Sequence, residues 1–101
     1  MFRVHVRIIG RKAIEKFKRS HADARPSLDH WHRVVSSRDW KNFVELRQVF
    51  PSADQVGPYT VFNVGGNKYR LIAIINYAVR TLWVREVLTH QEYDREGWKK
   101  P

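Results

Sequence analysis

The run 59-YTVFNVGGNKYRLIAIINY-77 decides the architecture. Its two arms, 59–64 and 68–77, are rich in β-branched and aromatic residues, and Gly65-Gly66-Asn67 between them has the composition of a hairpin turn. A third strand-like run, 81-TLWVREVLT-89, follows the short connection Ala78 to Arg80, so the C-terminal half reads as a three-stranded antiparallel meander. Strand side chains alternate with a period of two, which places Lys68 and Arg70 on one face near one end of the sheet. Two cations on a strand that otherwise enters a core mark a candidate site.

Outward from the hairpin, 2-FRVHVRII-9 alternates Phe2, Val4, Val6 and Ile8 against Arg3, His5, Arg7 and Ile9, the pattern of a strand on a core. After Gly10, the segment 11-RKAIEKFKRS-20 sets Ala13, Ile14 and Phe17 on one stripe of a short amphipathic helix. A second helix spans 24–37, with Pro26 in its first turn, Leu28, Trp31 and Val35 on its buried stripe, and Ser36-Ser37 as a stop. Asp39 is the expected cap of a third helix over 40–50, where Phe43, Leu46 and Phe50 share a face and Pro51 ends the element. The run 52–58 reads as turns, and 90–100 as a polar tail with a helical turn ended by Gly97. The fold class is therefore α+β: an antiparallel-rich sheet, made of the N-terminal strand plus the C-terminal three-stranded meander, with two to three helices on one face. The opposite face is expected to be left available.

The chain of 101 residues is read as one domain, 1–101. No apolar run approaches a membrane span, and the N-terminus lacks a signal-peptide core, so no membrane partner and a cytoplasmic location are expected. There is no cysteine, which leaves stability to packing. Nineteen Lys and Arg against ten Asp and Glu give a formal +9, which favours a polyanionic partner such as nucleic acid or an acidic protein. The chain has no Walker loop, dinucleotide fingerprint, His-Glu-x-x-His zinc motif or Ser-centred elbow, which excludes most standard enzymes.

Three blocks, 46-LRQVFPSADQV-56, 61-VFNVGGNKYRLIA-73 and 84-VREVLTHQEYD-94, in that order and spacing, resemble the HigB family of bacterial toxin-antitoxin toxins and the broader RelE-like fold. The resemblance implies an mRNA interferase: a small endoribonuclease without metal or other cofactor, cutting translated messenger RNA on the ribosome. It implies silencing by a HigA-type helix-turn-helix antitoxin, through which alone operator DNA would be met. In RelE-like catalysis the ribose 2′-hydroxyl attacks the adjacent phosphorus, giving a 2′,3′-cyclic phosphate and a 5′-hydroxyl. Such a reaction needs a group to take the 2′ proton, another to protonate the departing 5′ oxygen, and cations to stabilise the added negative charge.

Arg70 matches the family's Tyr-Arg position and is the candidate for that charge, since a guanidinium is a rigid fork for phosphate oxygens; the bland alternative is a surface arginine that pairs with a carboxylate or with solvent. Lys68 and Asn67, at the turn, are candidate RNA contacts, although a cation beside a turn is commonly just solvated. His90, Tyr93 and Asp94 share a face if 90–95 is helical. The imidazole can move a proton near neutrality, Tyr93 can donate a hydrogen bond or stack on a base, and Asp94 can orient the histidine. The alternative is a capped final turn, with His90 as the cap and Tyr93 in the core. Arg85 is either a second RNA contact or one side of a cross-strand ion pair.

Other residues invite plainer readings. His30 and His32 lie about 200° apart around a helix and read as surface histidines. Trp31, Trp40 and Phe43 read as core. Trp98, in a polar tail, either folds back onto the domain or meets RNA or a partner. Arg11, Lys12, Lys16, Lys18 and Arg19 make a basic helix face that is either solvated or turned to ribosomal RNA or an acidic antitoxin segment. Two other functions share the basic patches: a non-catalytic RNA- or ribosome-binding module, and an inactive structural half of a complex.

Overall fold

The computed structural model describes residues 5–99, and the outer part of the N-terminal strand read at 2–9 lies outside them. The elements run β1 (Arg7–Ile9), α1 (Arg11–Ser20), a 3-10 turn (Ala22–Ala24), α2 (Arg25–Ser36), α3 (Phe43–Val49), β2 (Asp54–Val56), β3 (Tyr59–Val64), β4 (Tyr69–Asn76), β5 (Thr81–Thr89), α4 (His90–Asp94) and a closing 3-10 turn (Gly97–Lys99). They build one five-stranded sheet in the order β1-β5-β4-β3-β2. β2 to β5 form an antiparallel meander, and β1 joins parallel to β5 with Ile8 opposite Leu82. No helix of the described residues is long and apolar enough to cross a membrane.

β4 is central, which explains its unbroken apolar run: Leu71, Ile72 and Ala73 are all fully buried, on both faces. Toward the helices, Leu71, Ala73, Phe62, Leu82 and Val84 pack against Ile14 and Phe17 of α1, Leu28, Trp31 and Val35 of α2, and Leu46 of α3. Each such large side chain contributes roughly 1.5–3 kcal/mol on leaving water. The helical stripes are those read from the sequence. Ser36 and Ser37 close α2 by donating their hydroxyls to the carbonyls of His32 and Val34, each at 2.6 Å.

Several expectations are corrected. The turn-rich reading of 52–58 hid β2, whose residues hydrogen-bond to β3 although Asp54-Gln55-Val56 carries no strand-like alternation. The cap of α3 is Asn42, whose Oδ1 accepts from the Glu45 amide at 2.8 Å, because the helix begins three residues later than read. Asp39 is instead 2.9 Å from the guanidinium of Arg80. The hairpin loop is four residues, Gly65 to Lys68, with both glycines at positive φ, and Val64 pairs with Tyr69. In β5 a bulge opposite Ile72 and Ala73 shifts the alternation by one, so Val84 and Val87 both enter the main core.

The sheet face away from the helices is not wholly free. Val61 and Ile72 form a second apolar cluster there with Trp98, which the C-terminal segment folds back to deliver. Trp98 is 6% exposed, so of its two readings the fold-back holds.

Candidate functional site

Arg70 lies on that second face, beside Ile72. The guanidinium donates from Nη1 to the carbonyls of Asn67 (3.2 Å) and Tyr69 (3.1 Å) and from Nη2 to Asn67 Oδ1 (2.7 Å). A guanidinium has five N–H donors, so Nε–H and one Nη2 hydrogen remain without a hydrogen-bond acceptor among the described residues. Among the described residues no carboxylate forms an ion pair with it. The surface ion pair that was the bland alternative is therefore not found among them. Nor is this end of the face left available: Arg70 is 8% exposed, and its guanidinium carbon sits 5.6 Å from the centroid of the Tyr93 ring.

α4 follows directly from β5, where Thr89 is paired with Tyr69, so His90 stands at the same end of the sheet as Arg70. The His90 amide donates to the Lys68 carbonyl at 3.0 Å, tying the helix to the hairpin. The cap is Thr89 rather than His90. Its side chain accepts from the Glu92 amide while Glu92 reaches back to the Thr89 amide, a capping box that leaves the imidazole unspent. One helical turn then places His90 Nδ1 3.0 Å from Asp94 Oδ2, both side chains being exposed to solvent. A carboxylate at Nδ1 favours the proton there and leaves Nε2 able to exchange one with a substrate.

Tyr93 turns inward from the same turn. Its ring stacks on Trp98 at 5.0 Å and 15°, and burial raises its hydroxyl above the ordinary tyrosine value, with the charge of Asp54 adding to the effect. The phenol thus stays protonated at neutral pH and can donate. Contacts continue across the face: Trp98 meets Tyr59 edge-on at 5.5 Å, and the Arg85 guanidinium lies 5.2 Å over Tyr59. Arg85 and Arg70 are thus linked through three aromatic rings.

Lys68 is the exception. It does not share Arg70's face, because it precedes β4 and belongs to the loop; its ammonium is 3.5 Å from Asp23 Oδ2 on the helix side. The Tyr69 hydroxyl donates to both oxygens of the same carboxylate at 2.8 Å, and these contacts hold Asp23 below the usual carboxylate range. Asn67, exposed at the loop tip, orients Arg70 through its side chain.

Of the predicted set, the structure joins Arg70 to Asn67 and Tyr93, and His90 to Asp94, while Lys68 points elsewhere. Two neighbours escaped the sequence reading. Asp54 went unseen because β2 did, and Tyr59 because nothing local says that Trp98 will reach it. Grooves of roughly 400 and 450 Å³ lie on the helix side, one between α1 and β5 with Lys16, His21 and Arg85, the other between α2 and the hairpin with His30, Trp31 and Gly65. Neither is lined by Arg70, His90 or Tyr93. Among the described residues no three His, Cys, Asp or Glu side chains are grouped to hold a metal ion.

The class that this sheet, its helical layer and its basic character define is the RelE-like α+β fold. Residues 24–96 match the family model of the HigB toxin, described as the RelE-like toxic component of a toxin-antitoxin system. Similar proteins include the mRNA interferase HigB of Escherichia coli O6:H1 (strain CFT073), 31% identical over 91 residues that span 87% of this chain and 88% of the relative. The mRNA interferase toxin HigB of Escherichia coli K12 and the mRNA interferase HigB of Shigella flexneri are each 31% identical over 90 residues, 86% of either chain. The chain belongs to the HigB family of RelE-like toxins. Membership implies an antitoxin as partner.

Proposed function

We propose that this protein is an mRNA interferase, a metal-independent endoribonuclease that cuts translated messenger RNA on the ribosome and is neutralised by a HigA-type helix-turn-helix antitoxin. The single observation that carries this reading is the buried Arg70 guanidinium, held by Asn67 and covered by Tyr93, with donors unspent and no carboxylate ion pair among the described residues. A buried cation in that state is satisfied by an anion, and a phosphodiester supplies one in the geometry the fork prefers.

The ribose 2′ oxygen attacks phosphorus as its proton passes to His90 Nε2, the bond to the 5′ oxygen breaks, and that proton is returned from Nε2 to the departing 5′ oxygen, so the products are a 2′,3′-cyclic phosphate and a 5′-hydroxyl. Arg70 stabilises the charge that gathers on the non-bridging oxygens. Asp94 orients His90, and Tyr93 donates a hydrogen bond from its phenol. Asn67, Lys68 and Arg85 contact RNA, Lys68 after leaving Asp23. Charge stabilisation and proton transfer are both supplied by side chains, so the scheme requires no metal.

The test is purified protein with translating ribosomes and labelled message, with the ends of the products identified. Cleavage that leaves 2′,3′-cyclic phosphate and 5′-hydroxyl ends supports the proposal. Ends bearing 3′-hydroxyl and 5′-phosphate, the products of metal-activated water, overturn it, and binding to ribosomes without cleavage favours a non-catalytic RNA-binding module.

A further inference from the structure

Trp98 lies beyond residues 24–96, the stretch that matches the family model, yet it packs on Tyr93, the residue that covers Arg70, and on Tyr59. Its indole stacks on Tyr93, donates from Nε1 to the Tyr93 carbonyl at 2.9 Å, and meets Tyr59 edge-on. The backbone is bent to permit this. Glu96 sits at φ 59, in the left-handed region, and its amide donates to the same Tyr93 carbonyl at 3.0 Å. The reversal expected at Gly97 therefore falls on a residue with a Cβ, a conformation that persists only where surrounding contacts impose it. Beneath the indole lie Val61 and Ile72, and Ile72 is two residues along β4 from Arg70.

These contacts converge on one outcome, the placement of the Tyr93 ring against the guanidinium. We propose that Trp98 is a positioning residue for the catalytic centre: it clamps Tyr93 over Arg70, so that the fork and the phenol keep one relative orientation. The proposal rests on the function given above. A clamp of this kind acts on the transition state more than on binding, because misplacing a reacting group by a fraction of an ångström lowers turnover while leaving distant RNA contacts intact.

Trp98→Ala and Trp98→Phe are compared in single-turnover cleavage on translating ribosomes, alone and combined with Tyr93→Ala. Trp98→Ala is expected to lower kcat by about 10- to 100-fold with KM changed less than about threefold. Trp98→Phe keeps the stacking and recovers most of the loss. In the Tyr93→Ala background Trp98→Ala should cost nothing further, since its action passes through the missing ring. A merely structural tryptophan would instead add its full penalty there, and that result, or unchanged kcat in Trp98→Ala, overturns the proposal.

The NMR resonance of the Arg70 Nε–H group gives a readout independent of cleavage. The Tyr93 ring current shifts it in the native protein, and the shift should collapse in Trp98→Ala but persist in Trp98→Phe. If native protein cleaves nothing while the resonance behaves so, the functional reading fails and the clamp stands. If it cleaves and the resonance is indifferent to Trp98, the clamp fails alone.

Discussion

The Arg70 guanidinium carbon lies 5.6 Å from the centroid of the Tyr93 ring, and Asn67 Oδ1 accepts from its Nη2 at 2.7 Å, so the fork is held from two sides before any substrate arrives. That arrangement is preorganisation: the donors need not reorient as charge develops. Arg70→Ala should lower kcat about 10²- to 10³-fold. Arg70→Lys should recover only part of this, because an ammonium keeps the charge and loses the fork. Asn67→Ala, which leaves the backbone carbonyls as acceptors, should cost on the order of tenfold. Single-turnover rates on translating ribosomes measure all three, and equal activity of Arg70→Lys and native protein would contradict the bidentate role.

The His90–Asp94 pair makes a separate claim. His90→Gln should reduce kcat by about 10²- to 10⁴-fold, the usual span for a lost proton-transfer group. Asp94→Asn, which keeps the shape and removes the orienting charge, should do less. Both residues are solvent-facing on a short capped helix, so neither change should disturb folding. The discriminating measurement is the pH–rate profile: loss of one limb in His90→Gln supports proton transfer, and a uniformly lowered profile of unchanged shape argues for a packing role.

At the other end of the hairpin, Tyr69 and Asp23 predict a pH dependence of stability. The Tyr69 hydroxyl, followed by Lys68, holds the Asp23 carboxyl below its ordinary 3.8. The folded protein therefore binds this proton less readily than the unfolded chain, and the stabilisation is complete above 3.8 and lost as pH falls through the lower folded value. Urea denaturation of native protein and Tyr69→Phe at a series of pH values should show native protein ahead at neutrality and the gap narrowing in acid. A constant gap down to pH about 2 would mean that this carboxylate is not what Tyr69 stabilises.

Two core tryptophans provide an internal comparison. Trp40 donates from Nε1 to the Val35 carbonyl at 2.9 Å, while Trp31 Nε1 is buried with no partner among the described residues. Both are almost fully buried, so replacement by phenylalanine loses similar apolar volume in each case. Trp40→Phe also strands a buried carbonyl, and should cost about 1–3 kcal/mol more than Trp31→Phe. Chemical denaturation settles the order, and a reversed order would show that Trp31 Nε1 has a partner in solution.

What was legible in the sequence follows from local physics. The hairpin showed itself through Gly65-Gly66 between two β-branched runs, and the helices through their apolar stripes; the His90–Asp94 pair follows from four-residue spacing once a turn of helix is granted. β2 did not show itself because a three-residue edge strand is created by the hydrogen bonds β3 offers rather than by its own side chains. Lys68 was misplaced because alternation holds only within a strand, and β4 begins one residue later.

By itself, then, the chain determined its α+β class, the order of its elements apart from β2, its basic character and the residues from which a site would be drawn, since propensity, periodicity and charge act between near neighbours. Only the tertiary structure decided that Arg70 would be covered, that Tyr93 would cover it, and that Trp98 would hold the two together. Those contacts join β4, α4 and the C-terminal turn across the sheet, and what brings them together is the burial of apolar surface on a face that exists only once the strands have paired.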